Sequence, residues 1–150
     1  MVREIGSEFW IDDNNLFHGT NEIPLWLSRF GNVVLTTSGR GALSLLLDQV
    51  KPRVKRVLLP SYICDSVILP FEVAGYELIY YDADKYLKPI EIESIKNSNV
   101  GIFLHMGYFG FPTNEILSDT ILSLKSDSVI IIEDVTHTLF EEDHNLVKSD

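Results

Sequence analysis

The chain has 150 residues, 45% of them hydrophobic, and a formal net charge of −10. That size suits one core of ordinary dimensions. The acidic balance excludes a non-specific nucleic-acid binder, which needs clustered Lys and Arg, and a basic membrane-surface protein.

Residues 1–21 read as a polar, irregular N-terminal arm carrying Trp10, Phe17 and the acidic pair Asp12-Asp13, and residues 22–150 as one domain. The opening residues lack the apolar stretch of a signal peptide, and no apolar run approaches transmembrane length. One cysteine, Cys64, rules out an intrachain disulfide and a multi-cysteine zinc site, and fits a reducing cytoplasm.

Asn21 can cap a short helix over 22–30, with Pro24 in its first turn and Gly31 as its stop. Val33-Val34-Leu35-Thr36 predicts a short strand, and residues 40–50 a helix with Leu43, Leu46, Leu47 and Val50 on one face. Pro52 closes that helix. Val57-Leu58-Leu59 is the next strand, followed by a helix over roughly 63–74 that Pro70 should kink or break and Gly75 should stop.

Glu77-Leu78-Ile79-Tyr80-Tyr81 reads as a strand ending in Asp82, and a helical turn is expected around 91–96. Val100-Gly101-Ile102-Phe103-Leu104 reads as a strand ending at His105. The loop Gly107-Tyr108-Phe109-Gly110-Phe111-Pro112 leads to a helix over about 114–125. A strand over 128–132 follows, and its β-branched run Val129-Ile130-Ile131-Ile132 suggests burial on both faces.

Strands alternating with helices predict an α/β domain, a mostly parallel sheet with helices on both faces. All strand carboxyl ends then share one side, bringing Thr37-Ser38-Gly39, Pro60-Ser61, Asp82, His105 and Asp134 along one edge. Glu141-Glu142-Asp143-His144 reads as an exposed turn, and Leu146-Val147 as the start of another strand. A sheet whose last unit is cut short leaves apolar surface uncovered, so the chain is expected to be part of something longer or to complete its core with a partner.

Several motifs admit two readings. Asp134, at the carboxyl end of a strand, is placed either to cap the next turn or to face a cation, a metal or a protonated ring nitrogen. Thr37-Ser38-Gly39-Arg40-Gly41 is either a plain strand-to-helix turn with a Ser cap or a phosphate cradle, with Arg40 adding charge if it turns inward. Neither the Walker-type phosphate loop nor the three-glycine dinucleotide pattern is present. Ser61 reads first as a helix cap, alternatively as the lead into a ligand contact by Tyr62 or Cys64. His105 and His137 with Asp134 lack metal-site spacing, and a satisfied polar side chain is the default for each His.

Taken in order, these segments resemble the pyridoxal-phosphate (PLP) sugar aminotransferases of the DegT type, a PLP fold type I family. That family runs from a Ser-Gly-Thr-Ala-Ala-Leu-like turn through Pro-Ser-Phe-Thr, Gly-x-x-Pro-x-x-x-Asp and Tyr-Gly-x-Pro stretches to Glu-Asp-Ala-Ala-Gln/His. The counterparts here are Ser38-Gly39-Arg40-Gly41-Ala42-Leu43, Pro60-Ser61-Tyr62-Ile63, Gly75-Tyr76 through Asp82, Phe109-Gly110-Phe111-Pro112 and Glu133-Asp134-Val135-Thr136-His137. The likeness spans about residues 30–140.

The resemblance implies the large-domain fold of these enzymes in a partial, three-layer form over residues 22–150, with PLP as cofactor. It implies Asp134 pairing with the pyridinium nitrogen, keeping the ring an electron sink. His137 would lie near the ring and its phenolic oxygen. Ser38, Gly39, Arg40 and Gly41 would take the phosphate, chiefly through the N–H groups of Arg40 and Gly41. The family's stacking aromatic falls on Cys64 here, with Tyr62 as the substitute.

The family's Schiff-base lysine lies well downstream of the Asp. Lys148 is the only lysine after Asp134 and is expected to be a surface residue, so the chain alone has no catalytic lysine and should not transaminate. The resemblance further implies a small-molecule substrate, a keto sugar or similar amino acceptor, and a homodimer. The alternative is a non-catalytic α/β domain that binds a phosphorylated ligand or a partner subunit.

Overall fold

The structure is a computed structural model and describes residues 32–138. The arm at 1–21, the helix at 22–30, the turn at 141–144, Leu146-Val147 and Lys148 lie outside the described residues. Every described helix and strand belongs to the unit Val34–Asp150; of the unit Met1–Val33, only the last residues are described.

The elements are α1 (Gly39–Gln49), β1 (Arg56–Pro60), α2 (Asp65–Val73), β2 (Glu77–Tyr81), α3 (Ile92–Lys96), β3 (Ile102–Met106), a 3₁₀ turn (Glu115–Leu117), α4 (Ser118–Ser126) and β4 (Ile130–Asp134). All four strands pair in parallel, in the order β2-β1-β3-β4. Side chains alternate between the two faces of a strand. Leu58, Phe103 and Ile131 therefore point one way and pack with Ile95 of α3 and Ile121 and Leu124 of α4. Val57, Leu59, Ile102 and Leu104 point the other way and pack with Leu47 of α1 and Phe71 of α2. The result is the expected α/β architecture with helices on both faces.

Two helix exits explain how the strands are spaced. At the end of α2, Gly75 adopts φ 74°, its N–H donates to the Glu72 carbonyl, and the Tyr76 N–H reaches back to Phe71 at 2.9 Å. This is a Schellman stop, and the Tyr76 ring seals it edge-on against Phe71 at 5.8 Å. Pro70 does not break the helix: α2 continues past it to Val73, with Pro70 buried. At the end of α4 the same motif is built on Ser128 at φ 64°, and the Val129 N–H still bonds Leu124. Residues 128 and 129 thus belong to the helix exit, and β4 begins at Ile130 rather than 128.

Two further expectations shift for related reasons. β3 runs from Ile102 to Met106, not 100–104, because Gly101 lies in a tight approach where a Cβ would overlap the Val54 carbonyl. His105 consequently sits inside the strand instead of at its end. β4 is an edge strand of the described sheet; Ile131 is buried, whereas Ile130 and Ile132 are only half-buried, so the run is not covered on both faces. Val33–Thr36 forms no strand: it has no partner in the described sheet, and Val34 and Leu35 are 73% and 76% exposed. The predicted apolar face of α1 does meet the sheet: Leu47 is buried, Leu43 and Val50 pack half-buried beside it, and Leu46 is exposed.

Strand order reverses at β1: β2 lies on one side of it, and β3 and β4 on the other. Such a switch point opens a crevice at the strand carboxyl ends, where open α/β sheets bind ligands.

Candidate functional site

A cleft of about 1230 Å³ lies at that point, bounded by the start of α1 and by residues at the carboxyl ends of β1, β3 and β4. Ser38, Gly39, Arg40, Tyr62, Cys64, Asp134 and His137 all line it; Gly41 does not. Asp82 and His105 are absent from the lining, so the sheet edge contributes through three strand ends.

The anion-friendly wall is the first turn of α1. Ser38 caps it: its Oγ accepts the Gly41 N–H at 3.1 Å, and its carbonyl accepts the Ala42 N–H. Gly41 N–H is therefore engaged inside the cap and would have to change partner to meet a phosphate. Gly39 and Arg40 carry the N–H groups nearest the helix start. A Cβ built on Gly39 would meet nothing within 4 Å, so the space above the helix start is open. The Arg40 guanidinium reaches across to Ser66 Oγ in the first turn of α2, at 3.3 Å.

Asp134 is the last residue of β4 and half-buried, paired in register with Met106. Its Oδ1 accepts the Thr136 N–H at 2.9 Å, an Asx turn that fixes the carboxylate at the strand end. The turn-cap reading of Asp134 holds, with one oxygen on the turn, and the residue also lines the cleft. Ser61 is no helix cap. Its N–H donates to the Tyr81 carbonyl at 2.8 Å, and Cys64 occupies the cap position of α2 without a side-chain bond. Cys64 is a free, exposed thiol and Tyr62 is 55% exposed.

The loop after β3 supplies residues that sequence reasoning left without a role. Tyr108 is buried; its hydroxyl donates to the Tyr62 carbonyl at 2.6 Å and so ties the ends of β1 and β3 together across the switch point. Burial, then the neighbouring Tyr62 and Asp134, pushes its phenol up to about 12. Phe109 and Gly110, at φ 53° and 85°, form a two-residue turn in which Tyr108 and Phe111 exchange both backbone hydrogen bonds. The Phe109 ring stacks on His137 at 5.2 Å with 16° between planes. The only hint in the sequence was the density of aromatics in 107–112.

His105 lies beneath this edge. Its Nδ1 pairs with Asn114 Nδ2 at 2.9 Å, and the same amide reaches Glu133 Oε1 at 3.3 Å. Its Nε2 is buried without a partner, and burial lowers its pKa to about 4, so it stays neutral. Asn114 also underlies Gly107, where a Cβ would sit 2.8 Å from the Phe111 carbonyl and 3.2 Å from Asn114 Oδ1. His105 thus supports the loop from below. Among the described residues no group of three or more His, Cys, Asp or Glu is placed to hold a metal, and no helix is long and apolar enough to cross a membrane.

Solved structures share this fold in part. A PLP-bound C-S lyase from Staphylococcus hominis superposes with a TM-score of 0.52 over 73% of this chain and 32% of that one, at 11% identity. The described residues thus share the fold of part of that lyase. An E coli GDP-4-keto-6-deoxy-D-mannose-3-dehydratase with bound hydrated PLP aligns at 24% identity over 67% of this chain and 28% of that one, with a TM-score of 0.48. The chain thus spans about a third of the length of these structures. No protein-family model and no curated protein sequence matches it.

Proposed function

We propose that the chain is part of the cofactor-binding large domain of a PLP-dependent aminotransferase of the DegT type, acting when complete on a keto sugar or similar amino acceptor. One observation carries the reading. A half-buried carboxylate at a strand end, Asp134, and an open helix start at Ser38–Arg40 line the same cleft. These residues fit the cofactor's two charged ends. The helix start suits a phosphate, because unpaired N–H groups and the helix dipole favour anions. Asp134, held by Thr136, presents a fixed negative charge to a ring nitrogen.

Bound PLP would supply an electron-withdrawing ring. The protein's part is then to hold it. Asp134 keeps the ring nitrogen protonated, the start of α1 anchors the phosphate, and Tyr62 and His137 flank the ring space. Cys64 stands where the family places an aromatic, so stacking falls to Tyr62. No lysine is among the described residues that line the cleft. This chain alone is therefore proposed to be inactive. A homodimer in the cytoplasm is the proposed setting. A second reading is a non-catalytic domain binding a phosphorylated ligand or a partner subunit; it rests on a cleft lining that offers an open helix start but, among the described residues, no lysine.

An absorbance titration with PLP tests the site, comparing the parent with Asp134→Ala. A charge-assisted hydrogen bond is worth roughly 1.5–3 kcal/mol, so the variant should bind about 10- to 100-fold more weakly. Equal binding by both removes Asp134 from its role. Borohydride treatment that fixes PLP to Lys148 overturns the claim of inactivity.

A further inference from the structure

His137 could act in the cleft through either ring nitrogen, and its role depends on which one carries the proton. Three observations bear on that. The Phe109 backbone N–H points at His137 Nδ1, 3.4 Å away, so Nδ1 acts as acceptor. The Phe109 ring lies flat on the imidazole at 5.2 Å and 16°. Phe109 is held there at φ 53°, a left-handed conformation that non-glycine residues rarely adopt. The turn that enforces it is anchored on buried Tyr108, bonded to the Tyr62 carbonyl.

We infer that Phe109 is a positioning residue that fixes His137 as the Nε2–H tautomer, making it a hydrogen-bond donor to an acceptor oxygen on a planar ring in the cleft. An imidazole whose Nδ1 accepts a hydrogen bond must, when neutral, carry its proton on Nε2. Stacking on Phe109 covers one face of the imidazole and sets its plane. The Tyr108 ring stands tilted 6.2 Å from the same imidazole, so it is the Nε2 edge that is offered to a ligand. The ligand class is a planar heteroaromatic bearing a phenolate-type or carboxylate oxygen. The left-handed strain at Phe109, of order 1–3 kcal/mol, is then a local cost tied to the site.

This inference rests on the PLP reading only for the identity of the ligand. The tautomer is a property of the ligand-free chain and is tested first there. Long-range proton–nitrogen NMR of ¹⁵N-labelled chain, at a pH where the ring is neutral, should show His137 more completely as Nε2–H than free histidine, which already favours that tautomer. An Nδ1–H form, or the same spectrum as a free imidazole, overturns the inference. Phe109→Gly keeps the backbone N–H and relieves the positive φ but removes the ring; it should drive the tautomer ratio toward that of a free imidazole. Phe109→Tyr should restore the parent spectrum. A parent-like tautomer in Phe109→Gly denies the ring its part and likewise overturns the claim.

Titration with PLP follows on the same samples. Binding that weakens about 3- to 10-fold in Phe109→Gly and recovers in Phe109→Tyr supports the donor role, the expected size for one modest hydrogen bond. Unchanged binding with an altered tautomer overturns it. Failure of every sample to bind PLP rejects the cofactor assignment, while the tautomer result still decides the part played by Phe109.

Discussion

The two helical layers of this domain differ in what they bury. On one face, α3 and α4 place Ile95, Ile121 and Leu124 against Phe103 and Ile131, all of them almost fully enclosed. On the other, α1 buries only Leu47 and leaves Leu45 43% and Leu46 37% exposed, yet its first turn lines the cleft. The first layer is the stable platform. The second trades burial for access, since an open helix start cannot also be packed over. Sites built on such rigid strand ends keep their geometry while the covering layer adapts.

The largest effect should come from the platform. Ile121→Ala removes a fully buried side chain and should cost about 2–5 kcal/mol, whereas Leu45→Ala on α1 should cost under about 1 kcal/mol. Urea denaturation of both variants checks the contrast. Equal losses would erase the distinction between the layers.

Acid should strike the same platform next, through His105. Its native pKa of about 4 lies below the ordinary 6.5 of the unfolded chain. Between these values the unfolded state binds the proton first, so stability is complete above pH 6.5 and falls as pH drops toward 4. The loss approaches about 3 kcal/mol. The part of the pH slope in this window that His105 contributes should be lost in His105→Leu, whatever its baseline stability, as urea midpoints from pH 4 to 8 would show.

Changes in the cleft layer should leave stability nearly intact and move binding. A side chain at Gly39 meets nothing in the protein, so Gly39→Val should alter stability by under about 1 kcal/mol. It should still obstruct an anion at the helix start and weaken phosphate-bearing ligands about 10-fold or more. Calorimetric titration alongside a urea melt separates the two effects. A large stability loss with unchanged binding would assign Gly39 to the fold alone.

The layered α/β plan was legible because strand and helix signals alternate along the chain, and Glu77–Tyr81 falls where its β-branched and aromatic run placed it. The positions of β3 and β4 were not. Continuous apolar runs such as Val100–Leu104 and Val129–Ile132 carry no alternation to mark their register. Both strands lie two residues later than the sequence suggests, because Gly101 and the exit of α4 take up the preceding positions. That shift placed His105 at a strand end when it is buried within one. Asp134 was placed at a strand end in either register, because a carboxylate closing such a run stands out, and it does line the cleft. Tyr108 and Phe109 were missed because their roles depend on a turn with a phenylalanine at positive φ, where sequence patterns lead one to expect Asn, Asp or Gly. The Ser61 cap failed because Tyr62, Ile63 and Cys64 extend the chain before α2 begins at Asp65.

The central claim is that Asp134 and the start of α1 grip opposite ends of one ligand. Pyridoxamine phosphate and its dephosphorylated form test it, as neither carries the aldehyde that reacts with surface lysines. Their affinities for parent, Asp134→Ala and Gly39→Val chains form the deciding measurement. The account predicts that Asp134→Ala weakens both ligands by a similar factor, whereas Gly39→Val weakens only the phosphorylated one. Identical losses for both ligands in Gly39→Val, or no loss of either in Asp134→Ala, would contradict it.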